Sequence, residues 1–282
     1  MTTPLDRIGF MQGRLSAMVD GKIQAFPWGE WREEFPHAKA LGLARMEWTI
    51  DQDRLRENPL TTAAGQAEIR ALSRDNALRI SSLTGDCFMQ APFWKASGEA
   101  QKALVADLDL VLASCHALGI EFVVVPLVDN GKIETTEQEK ALLRILLERS
   151  ASLSKQGVKI VFESDLPPSA LAQFIAKLPA DVFGINYDIG NSASLGYDSV
   201  DEIAAYAPRI LNVHVKDRLR GGTTVPLGTG AAELGKAIRL IERSGYVGPY
   251  ILQTARATDD DHAGALAKYR DMTVRWLEDA AR

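Results

Sequence analysis

Three apolar runs in this 282-residue chain each end in a residue able to hold a divalent metal, and a fourth ends in one that holds it less well. The runs are KIVFES with Glu163, INYDIGN with Asp188, ILNVHVKD with His214 and YILQTAR with Gln253. Two carboxylates and an imidazole suit one ion of Mn2+, Mg2+, Co2+ or Zn2+. An ion so held polarises a carbonyl and makes the adjoining C–H more acidic. The amide of Gln253 can still coordinate through its oxygen, but it accepts no proton at neutral pH.

Residues 163, 188, 214 and 253 meet only if the chain brings four strand ends together. Strand-like and helix-like segments alternate eight times, the pattern of parallel strands joined by crossover helices. The strands are expected at 7–11, 44–50, 79–85, 122–128, 159–164, 183–189, 210–216 and 250–255. Segments such as QKALVADLDLVLASCHALG between them have helical periodicity, and several close on glycine, as at Gly42, Gly119, Gly157 and Gly245. Eight such units close a barrel, so the fold class is α/β, a single (β/α)8 TIM barrel spanning 1–282 as one domain. Side chains alternate along a strand, and Glu163, Asp188, His214, Lys216 and Gln253 all fall on the inward parity of their runs. Two connections are longer than a barrel needs, at about 12–34 and 86–98, and both carry aromatics: Phe26, Trp28, Trp31, Phe88, Phe93 and Trp94. They read either as lids over a substrate or as rings that pack the loops down.

Composition sets outer limits. With 46% hydrophobic and 24% charged residues the chain has material for one large core. A net charge of -5 argues against a nucleic-acid partner, which requires a basic face. The two cysteines, Cys87 and Cys115, make neither a zinc pattern nor a disulfide scaffold. No run approaches a membrane span and the first residues lack a signal-peptide pattern, so no membrane partner and a cytoplasmic setting are expected. A homodimer is compatible with the chain, although no stripe specifies one.

The motifs IGFMQGRLS, EFPHAKALGLARMEW, VFESD, NYDIGNSASLG, NVHVKDR, TVPLGTG and ILQTAR, in this order, resemble the sugar phosphate isomerases and epimerases with the xylose-isomerase-like barrel. That family includes D-tagatose 3-epimerase, hydroxypyruvate isomerase and endonuclease IV. The resemblance covers most of the chain. It implies that Glu163, Asp188 and His214 hold one divalent ion and that Gln253 stands where the family has a fourth ligand, a glutamate. It further implies a metal-dependent isomerase or epimerase acting on a small sugar or sugar phosphate through an enediolate, with Glu163 as base.

Where two-base epimerases place their second glutamate, this chain has Gln253, so one-base isomerisation by Glu163 and a second acid at Glu47 or Asp86 both stay open. Lys216 could neutralise a developing oxyanion or pair with a neighbouring carboxylate such as Asp217. Arg220 matches a substrate-contacting arginine of such epimerases, and Asn191 replaces their histidine. Arg14 and Arg256 would bring positive charge to the rim for a phosphate or carboxylate. The two glycines of VPLGTGAAELG read as a tight turn or as an anion cradle. A lyase or dehydratase using the same ion, and a non-catalytic sugar-binding barrel, are the alternatives. Zinc-cluster phosphodiester cleavage is disfavoured, because His214 is the one histidine at a strand end.

Overall fold

The β-branched and aromatic runs form the strands expected of them in the computed structural model, which describes residues 3–282. They are β1 (Ile8–Met11), β2 (Arg45–Thr49), β3 (Arg79–Thr84), β4 (Phe122–Leu127), β5 (Lys159–Ser164), β6 (Phe183–Asp188), β7 (Ile210–Val215) and β8 (Tyr250–Leu252). Each pairs in parallel with its neighbours, and β1 pairs with both β2 and β8, closing the barrel. A short antiparallel hairpin, Asp217–Arg218 with Thr224–Val225, follows β7. The eighth strand stops three residues short of its expected end. The ladder nonetheless reaches Gln253, whose backbone N–H donates to Val215 O at 3.2 Å.

The barrel interior is narrow. Phe122, Val124 and Val161 form an apolar plug with Leu211 packed against it. A Cβ added at Gly9 would come within 2.8 Å of Ile251, and one at Gly184 within 2.5 Å of Leu211. Glycine at these two places lets side chains cross the barrel axis, and the plug forms the floor beneath the polar mouth. The larger apolar layer lies between the strands and the surrounding helices. Helix ends follow local chemistry: Gly119, at φ +69°, closes Gly98–Leu118 in the left-handed conformation that favours glycine. Among the described residues no helix is long and apolar enough to cross a membrane.

The two long connections sit on the mouth side. Phe26 and Trp31 are buried against Trp48, with ring centroids 5.4 and 5.6 Å from it. Phe93 meets Trp94 edge-on at 4.9 Å, and Phe88 at 6.2 Å. Of the two readings of these aromatics, the structure supports packing, because each buried ring fastens its loop to the barrel wall. The loop residues that reach the mouth cavity are Ile23, Gln24, Asp86, Met89 and Gln90.

Candidate active site

Strands β5, β6, β7 and β8 are consecutive around the barrel, so their carboxyl ends form one arc. Asp188 is in register with His214, and His214 with Ile251 two residues before Gln253. The donor atoms of Glu163, Asp188 and His214 all lie within 4.8 Å of one another, and the three side chains are buried.

Each donor is aimed by a partner outside the trio. His214 Nε2 is 2.7 Å from Glu47 Oε1, while its Nδ1 faces Glu163 Oε2 at 3.2 Å and Asp188 Oδ2 at 4.0 Å. Glu47 is fixed in turn by Asn212 Nδ2 at 2.9 Å, and the same nitrogen donates to Asn186 Oδ1 at 2.8 Å. Donation from Nε2 to a buried carboxylate leaves Nδ1 turned toward the other two donors, the usual arrangement for a metal-ligating imidazole. Burial alone would lower the His214 pKa, but the carboxylates Glu47 and Glu163 outweigh it and push it up to about 10. Asp188 Oδ1 accepts from Asn191 N at 2.8 Å, capping the helix Ile189–Leu195, which turns Oδ2 toward the site. Asn191 Nδ2 donates to Glu163 Oε1 at 2.6 Å, and Arg218 Nη1 holds Asn191 Oδ1 at 2.8 Å, which fixes the amide's orientation. Two oxygens and an imidazole nitrogen converging in this way fit one divalent ion.

Their surroundings shift Glu163 and Asp188 in opposite directions. Burial raises the Glu163 pKa, but the hydrogen bond and charge of His214, with Lys216 beyond, bring it below the ordinary value. Burial raises that of Asp188 despite Lys216. Glu163 is therefore a carboxylate at neutral pH, and it opens onto a cavity of about 480 Å³. That cavity is also lined by Asp86, Lys132, Asn191, Lys216, Arg218 and Gln253. Lys216 Nζ lies 3.2 Å from Asp188 Oδ2 and 3.2 Å from Gln253 Oε1. Gln253 Nε2 donates to Gln24 Oε1 at 2.9 Å, and Gln24 Nε2 donates to Asp86 Oδ2 at 2.7 Å. Burial, with Asp51 nearby, pushes the Asp86 carboxyl up to about 7.

Several expected substrate contacts lie elsewhere. Glu47 is fully buried beneath His214 and does not line the cavity. Arg220 borders a separate pocket with Tyr197 and Glu202, because the hairpin after β7 turns Arg218 to the cavity instead. Arg14 donates to Thr254 O and Ile23 O at 2.9 Å each, and Arg256 donates to Ser16 O and Ile23 O. Both rim arginines thus tie the first long loop to the end of β8. The N–H groups of Gly228, Gly230 and Ala232 all go to the buried carboxylate of Asp217, so the glycine loop is a structural turn. Lys216 pairs with Asp188, not with its neighbour Asp217. Arg218, Gln24, Asn186 and Asn212 were not singled out from the sequence. The GG of RLRGGTT was the signal for the hairpin that selects Arg218.

Comparison with known proteins agrees with this fold. Residues 35–279 match the family model described as xylose isomerase-like TIM barrel. The L-ribulose-5-phosphate 3-epimerase UlaE of Escherichia fergusonii is 24% identical over 259 residues, covering 88% of this chain and 90% of that protein. The crystal structure of IolI protein with a bound zinc atom superposes with a TM-score of 0.75 at 17% identity, covering 97% and 99% of the two chains. A xylose isomerase-like TIM barrel protein from Mycobacterium smegmatis, in complex with magnesium, gives 0.72 at 17% identity over the full length of both.

Proposed function

This chain belongs to the xylose isomerase-like TIM barrel family, and from that premise we propose that it isomerises or epimerises a small sugar or sugar phosphate, with one divalent ion held by Glu163, Asp188, His214 and the amide oxygen of Gln253. The observation that carries the reading is an ionised carboxylate, Glu163, opening onto the mouth cavity beside two further converging ligands. The relative that acts on L-ribulose 5-phosphate and the neighbours crystallised with zinc or magnesium support the substrate class and the ion.

When bound, the ion would polarise the substrate's carbonyl and the hydroxyl next to it. Glu163, held by Asn191 and Asn186, takes the proton from the carbon beside the carbonyl and leaves an enediolate. Lys216, on the same wall, is placed to meet the oxygen that gains charge. Returned by Glu163 to the neighbouring carbon on the same face, while the hydroxyl proton passes from one enediolate oxygen to the other, the abstracted proton completes an isomerisation. Inversion at one carbon needs a second group on the opposite face. Gln253 cannot serve; of the other carboxyls lining the cavity, Asp86 has its pKa near neutrality, which suits it to that role, whereas Asp165 is paired with Lys132. Lys132 and Arg218 are the wall cations suited to a phosphate or a distal hydroxyl.

The test is incubation with ketopentose and aldopentose phosphates in D2O with Mn2+. The expected result is deuterium at the carbon next to the carbonyl with every hydroxyl retained, and its loss in Glu163→Gln. Loss of a hydroxyl would place the chain among dehydratases, and exchange undiminished in Glu163→Gln would remove Glu163 as the base.

A further inference from the structure

Lys216 occupies two of the four residues assigned above to an ion. Its ammonium is shared by Asp188 Oδ2 and Gln253 Oε1, and its side chain is only 12% exposed, so it has given up most of its water for these two partners. The seat is shaped for it. Gly190 lies under the stem, and a Cβ there would come within 2.8 Å of Lys216 Cγ. The two oxygens that grip the ammonium belong to two of the four residues assigned above to the ion.

Charge makes the sharing exclusive. Before any ion arrives the ammonium is the cation that Asp188 Oδ2 holds, at 3.2 Å, and a divalent ion would need that same oxygen. Held by the same oxygen, the ion and the ammonium would be close like charges in a buried pocket, where they repel strongly. A carboxylate at 253 would offset part of that repulsion, and the amide does not.

We propose that Lys216 is a tethered cation that competes with the divalent ion for Asp188 and Gln253. Entry of the ion displaces the ammonium into the mouth cavity, where an anionic oxygen of the substrate receives it. Ion and anionic substrate then favour each other's binding, because each relieves the ammonium's conflict with the other. The proposal rests on the ion site assigned above.

Mn2+ titration calorimetry on metal-free wild type, Lys216→Met, Lys216→Gln and Lys216→Arg tests it. The two neutral variants should bind Mn2+ about tenfold or more tightly than wild type, and Lys216→Arg should gain nothing, in line with coupling between neighbouring sites. The Mn2+-induced rise in Tm should be larger in the neutral variants, because their metal-free form has lost the ammonium that balances Asp188. If one neutral variant fails to give a cooperative melt, the other carries the comparison. Equal or weaker Mn2+ binding in the neutral variants, with wild type binding and Asp188→Asn not, overturns the role of Lys216 and leaves the ion site standing. Absence of Mn2+ binding from every variant overturns the ion site and the proposal together.

Discussion

Glu47→Gln changes one buried atom pair and nothing that the substrate touches. The carboxylate of Glu47 takes His214 Nε2 at 2.7 Å on one oxygen and Asn212 Nδ2 at 2.9 Å on the other. An amide of the same shape can still accept from the imidazole, but its NH2 then faces the NH2 of Asn212, donor against donor. Turning Asn212 over would present its unpartnered Oδ1 to the new amide, yet it would break the 2.8 Å bond to Asn186 Oδ1. Asn186 in turn touches both Glu163 and His214 Nδ1, so one mismatch in the relay reaches the ligands whichever way it is resolved. The substitution also removes the negative charge that makes the imidazole a better donor. Losing such a partner costs about 10- to 100-fold in metal affinity, or about 1.4 to 2.7 kcal/mol. Titration of Mn2+ into metal-free Glu47→Gln and wild type at one pH, with thermal melts to show both are folded, measures it. Affinity within about twofold of wild type would refute the claim that Glu47 aims His214 at an ion.

Asp86→Asn should make stability depend less on pH. The folded-state pKa of Asp86 is raised to about 7, so its protonated form is favoured on folding. That contribution is present in full below about pH 4, the unfolded value, and is lost as pH rises through 7, at no more than about 1.4 kcal/mol per unit. Urea unfolding of the two proteins should therefore diverge between pH 4 and 7 in favour of the variant, and a gap independent of pH would contradict the burial argument. Gly184→Ala should destabilise by about 1 to 3 kcal/mol through overpacking, since its Cβ would fall 2.5 Å from Leu211 Cδ1. Adding Leu211→Ala should recover part of that loss in chemical denaturation, and strict additivity would show that Leu211 is not the obstacle.

The barrel was readable because its signal repeats. Strand runs and glycine-ended helices recur along the chain, and seven of the eight strands lie within a residue or two of their expected limits. β8 is shorter than expected because Gln253, Thr254 and Ala255 continue the strand's alternation of side chains while its backbone pairing ends at the Gln253 N–H. Glu163, Asp188 and His214 were readable for a simpler reason: strand parity and end position fix both the direction and the depth of a side chain. Depth was lost where the strand runs on past the residue. Glu47 has the inward parity but sits two residues before the end of β2, one layer below the mouth, and so became an anchor for His214. Parity could not separate Arg218 from Arg220 either, because both share it with His214 and only the hairpin decides between them. The partners of Lys216 lie 28 and 37 residues away in sequence, a relation that no local pattern records.

On the proposed reading, Glu163, Asp188 and His214 gather one divalent ion at the barrel mouth. Anomalous scattering from a crystal soaked in Mn2+ tests it most directly. The predicted result is a single peak about 2.0 to 2.6 Å from Glu163, Asp188 Oδ2 and His214 Nδ1, with Lys216 Nζ moved off Asp188. A mouth with no peak, its Lys216 still bridging Asp188 and Gln253 at saturating Mn2+, would contradict it.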